Sequence, residues 1–96
     1  MRLFWLAQAR ADRRAIIEYI ALDNPAAAVE NDERITAQAD RLLEYPEIGR
    51  RGRVQGTREL VIVQAPYLAI YRQSDDVIEI LRVLHQRQAW PPLKQE

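Results

Sequence analysis

The order of apolar and polar residues in the first half of the chain is first typical of a strand and then typical of helices. Residues 2–6 form a short run rich in apolar and aromatic side chains, which predicts a strand buried on both faces. From Gln8 the apolar side chains recur at helical spacing, with Ile16 and Ile20 on one face and charged side chains opposite. This pattern predicts a first helix that ends near Leu22.

A second helix is predicted directly after the first. Asn24 is a favourable N-cap, and Pro25 suits the first helical position, where its missing N–H costs nothing. The helix should end before Pro46, because the residue preceding a proline avoids the helical region. Two helices with so short a junction predict an antiparallel hairpin.

The second half of the chain has strand patterns. A loop rich in glycine and arginine is predicted at 47–56, followed by strands at 57–63, 67–72 and 77–84. Their short connections predict an antiparallel meander, and the tail at 85–96 should be irregular. The element order β-α-α-β-β-β therefore predicts one α+β domain over residues 1–96: a two-layer sandwich with a helix hairpin packed on a mainly antiparallel sheet.

Composition narrows the function classes. The chain has 96 residues, no cysteine and one histidine, so we expect neither a disulfide scaffold, nor a metal site, nor a cofactor. With no signal-peptide core and no membrane span in the sequence, a cytoplasmic location is the expectation. The net charge is zero, but residues 1–48 carry six basic and nine acidic side chains, whereas residues 49–96 carry eight basic and five acidic. The basic half could face a polyanion or an acidic partner.

Seven short sequence patterns follow one another along nearly the whole chain. They are Trp5 and Ala9, Ile17-x-Tyr19-Ile20, Asn24-Pro25-x-Ala27-Ala28, Leu43-x-x-Pro46-x-x-Gly49-Arg50, Gly52-Arg53-Val54-x-Gly56-Thr57-Arg58-Glu59-Leu60-Val61, Pro66-Tyr67-x-x-x-Tyr71-Arg72 and Ile80-Leu81-Arg82-Val83-Leu84-His85. In this order and at this spacing the chain resembles the ParE/RelE toxin superfamily of type II toxin–antitoxin pairs. The resemblance implies a RelE/ParE-like fold and a cognate antitoxin that wraps around the toxin with a helix and an extended segment.

The resemblance leaves three activities open. ParE-like members inhibit DNA gyrase by binding, RelE-like members are ribosome-dependent endoribonucleases that cut mRNA, and a third kind of member could bind its antitoxin without being toxic. Cutting RNA requires a proton acceptor, cations for the charged transition state and a donor for the leaving oxygen. Here the only lysine is Lys94 in the tail, no tyrosine follows Tyr71, and Glu59 stands where several RNA-cutting relatives carry arginine. These features favour the ParE-like branch.

A nuclease would need a cluster of catalytic side chains. Arg58, Arg82 and His85 could converge if the last strand lay beside the 57–63 strand. The alternative is structural: Arg58 would pair with Glu59 or Glu79 across the sheet, and His85 would merely end a strand.

Candidate binding residues are concentrated in the second half. The loop arginines could contact nucleic acid or an acidic antitoxin, or they could be solvated, and Trp90 could anchor a partner or pack on the core. The candidate target- or antitoxin-binding residues are Arg50, Arg51, Arg53, Arg58, Arg82, His85 and Trp90. Four other aromatic residues are predicted to lie in the core or at its edge: Trp5, Tyr19, Tyr67 and Tyr71.

Overall fold

The computed structural model describes residues 1–88 and 90–91. The elements are β1 (Arg2–Trp5), α1 (Ala7–Ala21), α2 (Pro25–Asp40), a 3-10 turn (Arg41–Leu43), β2 (Arg50–Arg51), β3 (Arg58–Val61), β4 (Tyr67–Ser74) and β5 (Val77–His85). The predicted α+β sandwich is confirmed, with one addition: β2 lies inside the segment predicted to be a loop. Lys94 lies outside the described residues. Among those described, no helix is long and apolar enough to cross a membrane.

The helix hairpin forms for the local reasons that the sequence suggests. The Asn24 side chain accepts a hydrogen bond from the backbone N–H of Ala27 at 3.1 Å, and Pro25 occupies the first turn of α2. The helical path continues through the 3-10 turn to Leu43, shortly before Pro46. The two helices pack on each other, α1 packs on β5, and α2 packs on β4.

The sheet has the strand order β1-β5-β4-β3-β2. β1 is parallel to β5, and the other pairs are antiparallel. The first strand therefore lies beside the last, and the long connection that a parallel pair needs consists of both helices and the three strands β2–β4. β4 separates β3 from β5, so the last strand does not lie beside the strand predicted at 57–63.

Two apolar clusters lie on opposite sides of the sheet. On the side towards the helices (the inner face), fully buried side chains of α2 meet those of the sheet, with Ile35, Tyr71 and Ile80 at the centre. Trp5 packs at the edge of this cluster. Tyr19 is 74% exposed, so the prediction that it belongs to the core or the core edge was wrong.

The side away from the helices (the outer face) also carries apolar residues. Leu68, Ile70 and Leu84 are buried there, with Leu81 and Trp90 packed against them. The pairing of β4 with β5 shifts between Ile70 and the next residue, so that Leu81 has no partner across the strand pair. Such a bulge bends the strand locally.

Candidate functional site

The arginine-rich segment after the helices folds back against β3. Arg50 lies opposite Glu59, and Arg51 lies opposite Arg58. Directly opposing residues of an antiparallel pair project from the same face. Arg50 and Glu59 therefore share the outer face, whereas Arg51 and Arg58 share the inner face. The predicted cluster of loop arginines is thus divided between two sides of the sheet.

Glu59 is the buried acceptor of the outer-face group. It is 2% exposed. One carboxylate oxygen accepts from Arg50 Nε and Nη2 at 3.3 and 3.1 Å, and the other accepts from the backbone N–H of Arg53 at 3.2 Å. The Arg53 guanidinium is 3.6 Å from the same carboxylate. Glu59 therefore pairs with two of the three loop arginines and offsets one of their two positive charges.

Arg58 supports the neighbouring loop. Its Nη1 donates to the carbonyl oxygens of Glu47 and Gly49 at 3.2 and 2.8 Å. The alternative in which Arg58 pairs with Glu59 or Glu79 was wrong, because Glu59 takes Arg50 and Arg53, and Glu79 accepts from another side chain of β4.

Tyr71 fixes the same loop from beneath. Its hydroxyl accepts from the backbone N–H of Gly49 at 2.9 Å and donates to the carbonyl oxygen of Pro46 at 2.8 Å. A side chain at position 49 would collide with the ring, since an added Cβ would lie 2.6 Å from it. Burial raises the pKa of Tyr71 above its ordinary value, while the Gly49 hydrogen bond and the charge of Arg58 lower it in part. The loop before β2 is therefore held in a defined position.

Arg82 is engaged by the helix layer. Its Nε and Nη2 donate to the carboxylate of Asp12 at 2.8 and 3.1 Å, and the same carboxylate accepts from the backbone N–H of Val83 at 2.9 Å. β1 ends at Trp5, opposite Ile80, so Asp12 satisfies the edge of β5 where that strand has lost its neighbour.

His85 is the last residue of β5. Its ring meets the edge of the Tyr67 ring, with the centroids 5.6 Å apart, and its Nδ1 accepts from the backbone N–H of Arg87 at 3.1 Å. It borders a shallow depression of about 340 Å³ beside α1, of which Tyr19 forms the other wall.

The structure does not bring the three candidate catalytic residues together. Arg58 and Arg82 are on opposite faces of the sheet, because Arg58 pairs with Tyr71 of the inner face and Arg82 pairs with Ile70 of the outer face. His85 lies opposite Tyr67, which is four residues along β4 from Tyr71, the partner of Arg58.

Trp90 lies over the outer face. It packs against the Leu68, Ile70 and Leu84 cluster, and the guanidinium of Arg82 is 5.9 Å from the centre of its ring. This is the packing position considered from the sequence, and a role in binding a partner stays a prediction.

A polar pocket of about 370 Å³ lies on the inner side of the β2–β3 hairpin. It is lined by Arg51, Gly52, Gln55, Gly56, Thr57, Arg58 and Gln73. The loop at its rim is a tight turn: the N–H of Thr57 donates to the carbonyl of Val54, and Gly56 has a φ of +83°. A glycine at this position of a turn is required by the left-handed backbone.

Asp12 is the structural residue that sequence reasoning missed. The sequence does contain an indication of its role. Asp12 follows Ala9 by three residues and precedes Ile16 by four, which places a carboxylate on the apolar stripe of the first helix. A carboxylate at a partly buried position requires a hydrogen-bonding partner. The sequence shows that need, but not that Arg82 meets it.

Comparison with known proteins identifies the family. The sequence model described as the ParE toxin of the type II toxin–antitoxin system parDE matches residues 3–90. The chain belongs to the ParE toxin family. It is therefore the toxin component of a type II toxin–antitoxin system, as the resemblance predicted.

Individual relatives of this ParE-family toxin agree with the assignment. A protein of Sinorhizobium fredii named as a toxin, Y4kP, is 46% identical over 90 residues, which is 94% of this chain and 93% of that protein. Toxin RelE2 of Caulobacter vibrioides is 39% identical over 84 residues, covering 88% and 93%. A chain in the solved structure of the chromosomal ParDE system from P. aeruginosa is 32% identical, with a TM-score of 0.80 over 88% of this chain and 95% of that one.

Proposed function

We propose that this ParE-family toxin inhibits DNA gyrase by binding to it, and that a cognate antitoxin neutralises it. The observation that carries the proposal is the separation of Arg58, Arg82 and His85. General acid–base chemistry needs its groups within hydrogen-bonding reach of one reacting centre. Arg58 and Arg82 are instead occupied in holding loop carbonyls and Asp12. The separation and the internal bonds therefore count against an active site built from these residues and favour inhibition by binding.

The outer face of the sheet supports the same choice. Its middle is apolar and covered by Trp90, and its one buried carboxylate, Glu59, is saturated by arginines. Phosphate binding depends on positive charge, and at the edge of this face Glu59 offsets one of the two positive charges of Arg50 and Arg53. The residues proposed for target or antitoxin binding lie on both faces of the sheet: Arg50, Arg53, Arg82 and Trp90 on the outer face, and Arg51, Arg58 and His85 on the inner face.

An antitoxin has two suitable places to bind. The described outer edge of β1 pairs with no strand, so an extended antitoxin segment could add to it. Tyr19 and Leu22 on the helix hairpin are 74% and 83% exposed, and they would be covered by the apolar side of an antitoxin helix. The solved relative belongs to a ParDE toxin–antitoxin system. A partner protein therefore explains apolar side chains that a free monomer leaves in water.

A supercoiling assay tests the gyrase proposal. Folded toxin is added to gyrase, ATP and relaxed plasmid, and the products are separated after protein digestion. We expect supercoiling to fall and linear DNA to accumulate, because a trapped cleavage complex leaves broken DNA. Adding the antitoxin, from the reading frame beside that of the toxin, should restore supercoiling. Normal supercoiling at micromolar excess of folded toxin would reject gyrase as the target.

The relative named Toxin RelE2 motivates a parallel assay for RNA cutting. In a translation extract, a RelE-like activity would produce cleavage of mRNA that depends on the ribosome. Under the gyrase proposal no such cleavage appears, and expression without the antitoxin stops growth. Unaffected growth would instead indicate a family member that binds its antitoxin without toxicity.

A further inference from the structure

The pocket on the inner side of the β2–β3 hairpin has the character of an anion site. Arg51 and Arg58 occupy directly opposing positions at its wall, where like charges repel each other. Among the described residues no carboxylate forms an ion pair with either, since Glu59 points to the other face and binds Arg50 and Arg53. An anion held between the two guanidinium groups would relieve their repulsion. We propose that this pocket binds a phosphodiester group of the DNA backbone.

The lining favours phosphate over an acidic peptide. All seven residues around the pocket are arginine, glutamine, threonine or glycine, so no apolar side chain is available to anchor a peptide. Guanidinium groups present paired donors that match phosphate oxygens. A peptide carboxylate could use one arginine, but the remaining surface would give it little apolar contact.

The glycine at the rim leaves room for the sugar-phosphate backbone of DNA to approach the pocket. A Cβ built on Gly56 meets nothing within 4 Å, so the rim is open on that side. The described residues provide no acceptor for the backbone N–H groups of Gln55 and Gly56. The volume of about 370 Å³ is in the range of small-molecule sites and exceeds what one free phosphate ion fills. A sugar-phosphate unit is therefore the better fit.

This inference deepens the proposed function and rests on it for the choice of DNA, because gyrase acts on DNA. Gyrase would supply the protein contact, and the Arg51–Arg58 pocket would add a contact to a phosphate of the bound duplex. A phosphate contact does not read base sequence, so it would add affinity without sequence preference.

The test uses the folded toxin alone and a short DNA duplex as the probe. In amide NMR spectra we expect the largest shifts at Gly52, Gly56 and Thr57. Arg51→Gln should weaken binding on the order of ten-fold and lower the slope of log affinity against log salt by about one. Arg51 is the residue to substitute because its side chain forms no ion pair with a described residue, whereas Arg58 also donates to loop carbonyls.

Arg14→Gln is the matched control. Arg14 is exposed on α1, and its loss changes the net charge by the same amount as Arg51→Gln. We expect this variant to bind the duplex as the unaltered toxin does. Equal weakening by Arg14→Gln and Arg51→Gln would show general charge attraction and overturn the pocket.

Two further probes identify the source of the anion. If inorganic phosphate changes the amide chemical shifts of the pocket residues and the duplex does not, the pocket is a small-anion site and the assignment to DNA is overturned. Shifts with a glutamate-rich peptide but none with duplex would assign it to an acidic protein partner instead. In the supercoiling assay, equal inhibition by the unaltered toxin and Arg51→Gln would reject the pocket and leave gyrase as the target. No inhibition by the unaltered toxin would reject gyrase, while the duplex titration still reports on the pocket.

Discussion

At the scale of single residues, Glu59 shows how burial decides which charges are available. Its carboxylate is 2% exposed and accepts three hydrogen bonds from Arg50 and Arg53. A buried carboxylate is tolerated only when such bonds replace the water it loses. The same carboxylate offsets one of the two positive charges of Arg50 and Arg53, whereas Arg51 and Arg58 line the pocket without an ion-paired carboxylate among the described residues.

Glu59→Gln should lower the free energy of unfolding by about 2 kcal/mol, because a neutral amide keeps the volume but loses the charge that the arginines surround. Urea denaturation measures the effect. The matched control is Glu79→Gln, whose partner Arg72 is well exposed, and there we expect less than about 1 kcal/mol. Equal losses in the two variants would mean that the burial of Glu59 does not matter.

The sequence predicted the kinds of charged residue in the site, but not their partners. Arg58 and Glu59 are adjacent in a strand, and adjacent strand residues project to opposite faces, so they could not pair. Glu59 instead takes Arg50 because the β2–β3 register places them opposite each other. Register depends on a two-residue strand too short to leave a pattern in the sequence.

At the scale of elements, the helices follow local signals closely. Asn24 and Pro25 mark the start of α2, and the side chain of Asn24 accepts from the Ala27 N–H as an N-cap should. The apolar stripe of α1 was less informative, since helical periodicity does not say how far the sheet extends. The sheet does not cover Tyr19, and the Tyr19 side chain is therefore exposed.

Asn24→Ala should destabilise the protein by about 1 kcal/mol, because the Ala27 N–H loses its acceptor. Asn24→Asp keeps an acceptor at the same place and should remain close to the original stability. Thermal unfolding of the two variants makes the comparison. If both lost the same stability, the cap would not be the cause.

At the scale of the whole molecule, Asp12 joins the helix layer to the sheet. It links α1 to Arg82 and to the backbone of Val83, some 70 positions later in the chain. The strand order that makes this contact possible could not be read from the sequence, because short connections indicate neighbours only among consecutive strands. The pairing of the first strand with the last is determined by long-range packing contacts.

Asp12→Ala should cost about 2–4 kcal/mol, because it leaves the Arg82 charge and the Val83 N–H without their acceptor in a partly buried place. Asp40→Ala, at an exposed position at the end of α2, should change stability by no more than about 0.5 kcal/mol. Urea denaturation of both variants provides the test. A similar small effect for both would show that the layers hold together without Asp12.

The parallel pairing of β1 with β5 has a consequence for synthesis of the protein on the ribosome. Residues 2–5 are made about 75 residues before their partners at 77–80, so a long loop must close before the two strands can pair. Until β5 is available, the helix hairpin has no complete sheet to cover it. The sheet can therefore close only after residues 77–80 have left the ribosome, so the edge of β1 that faces β5 stays unpaired while the residues between them are made.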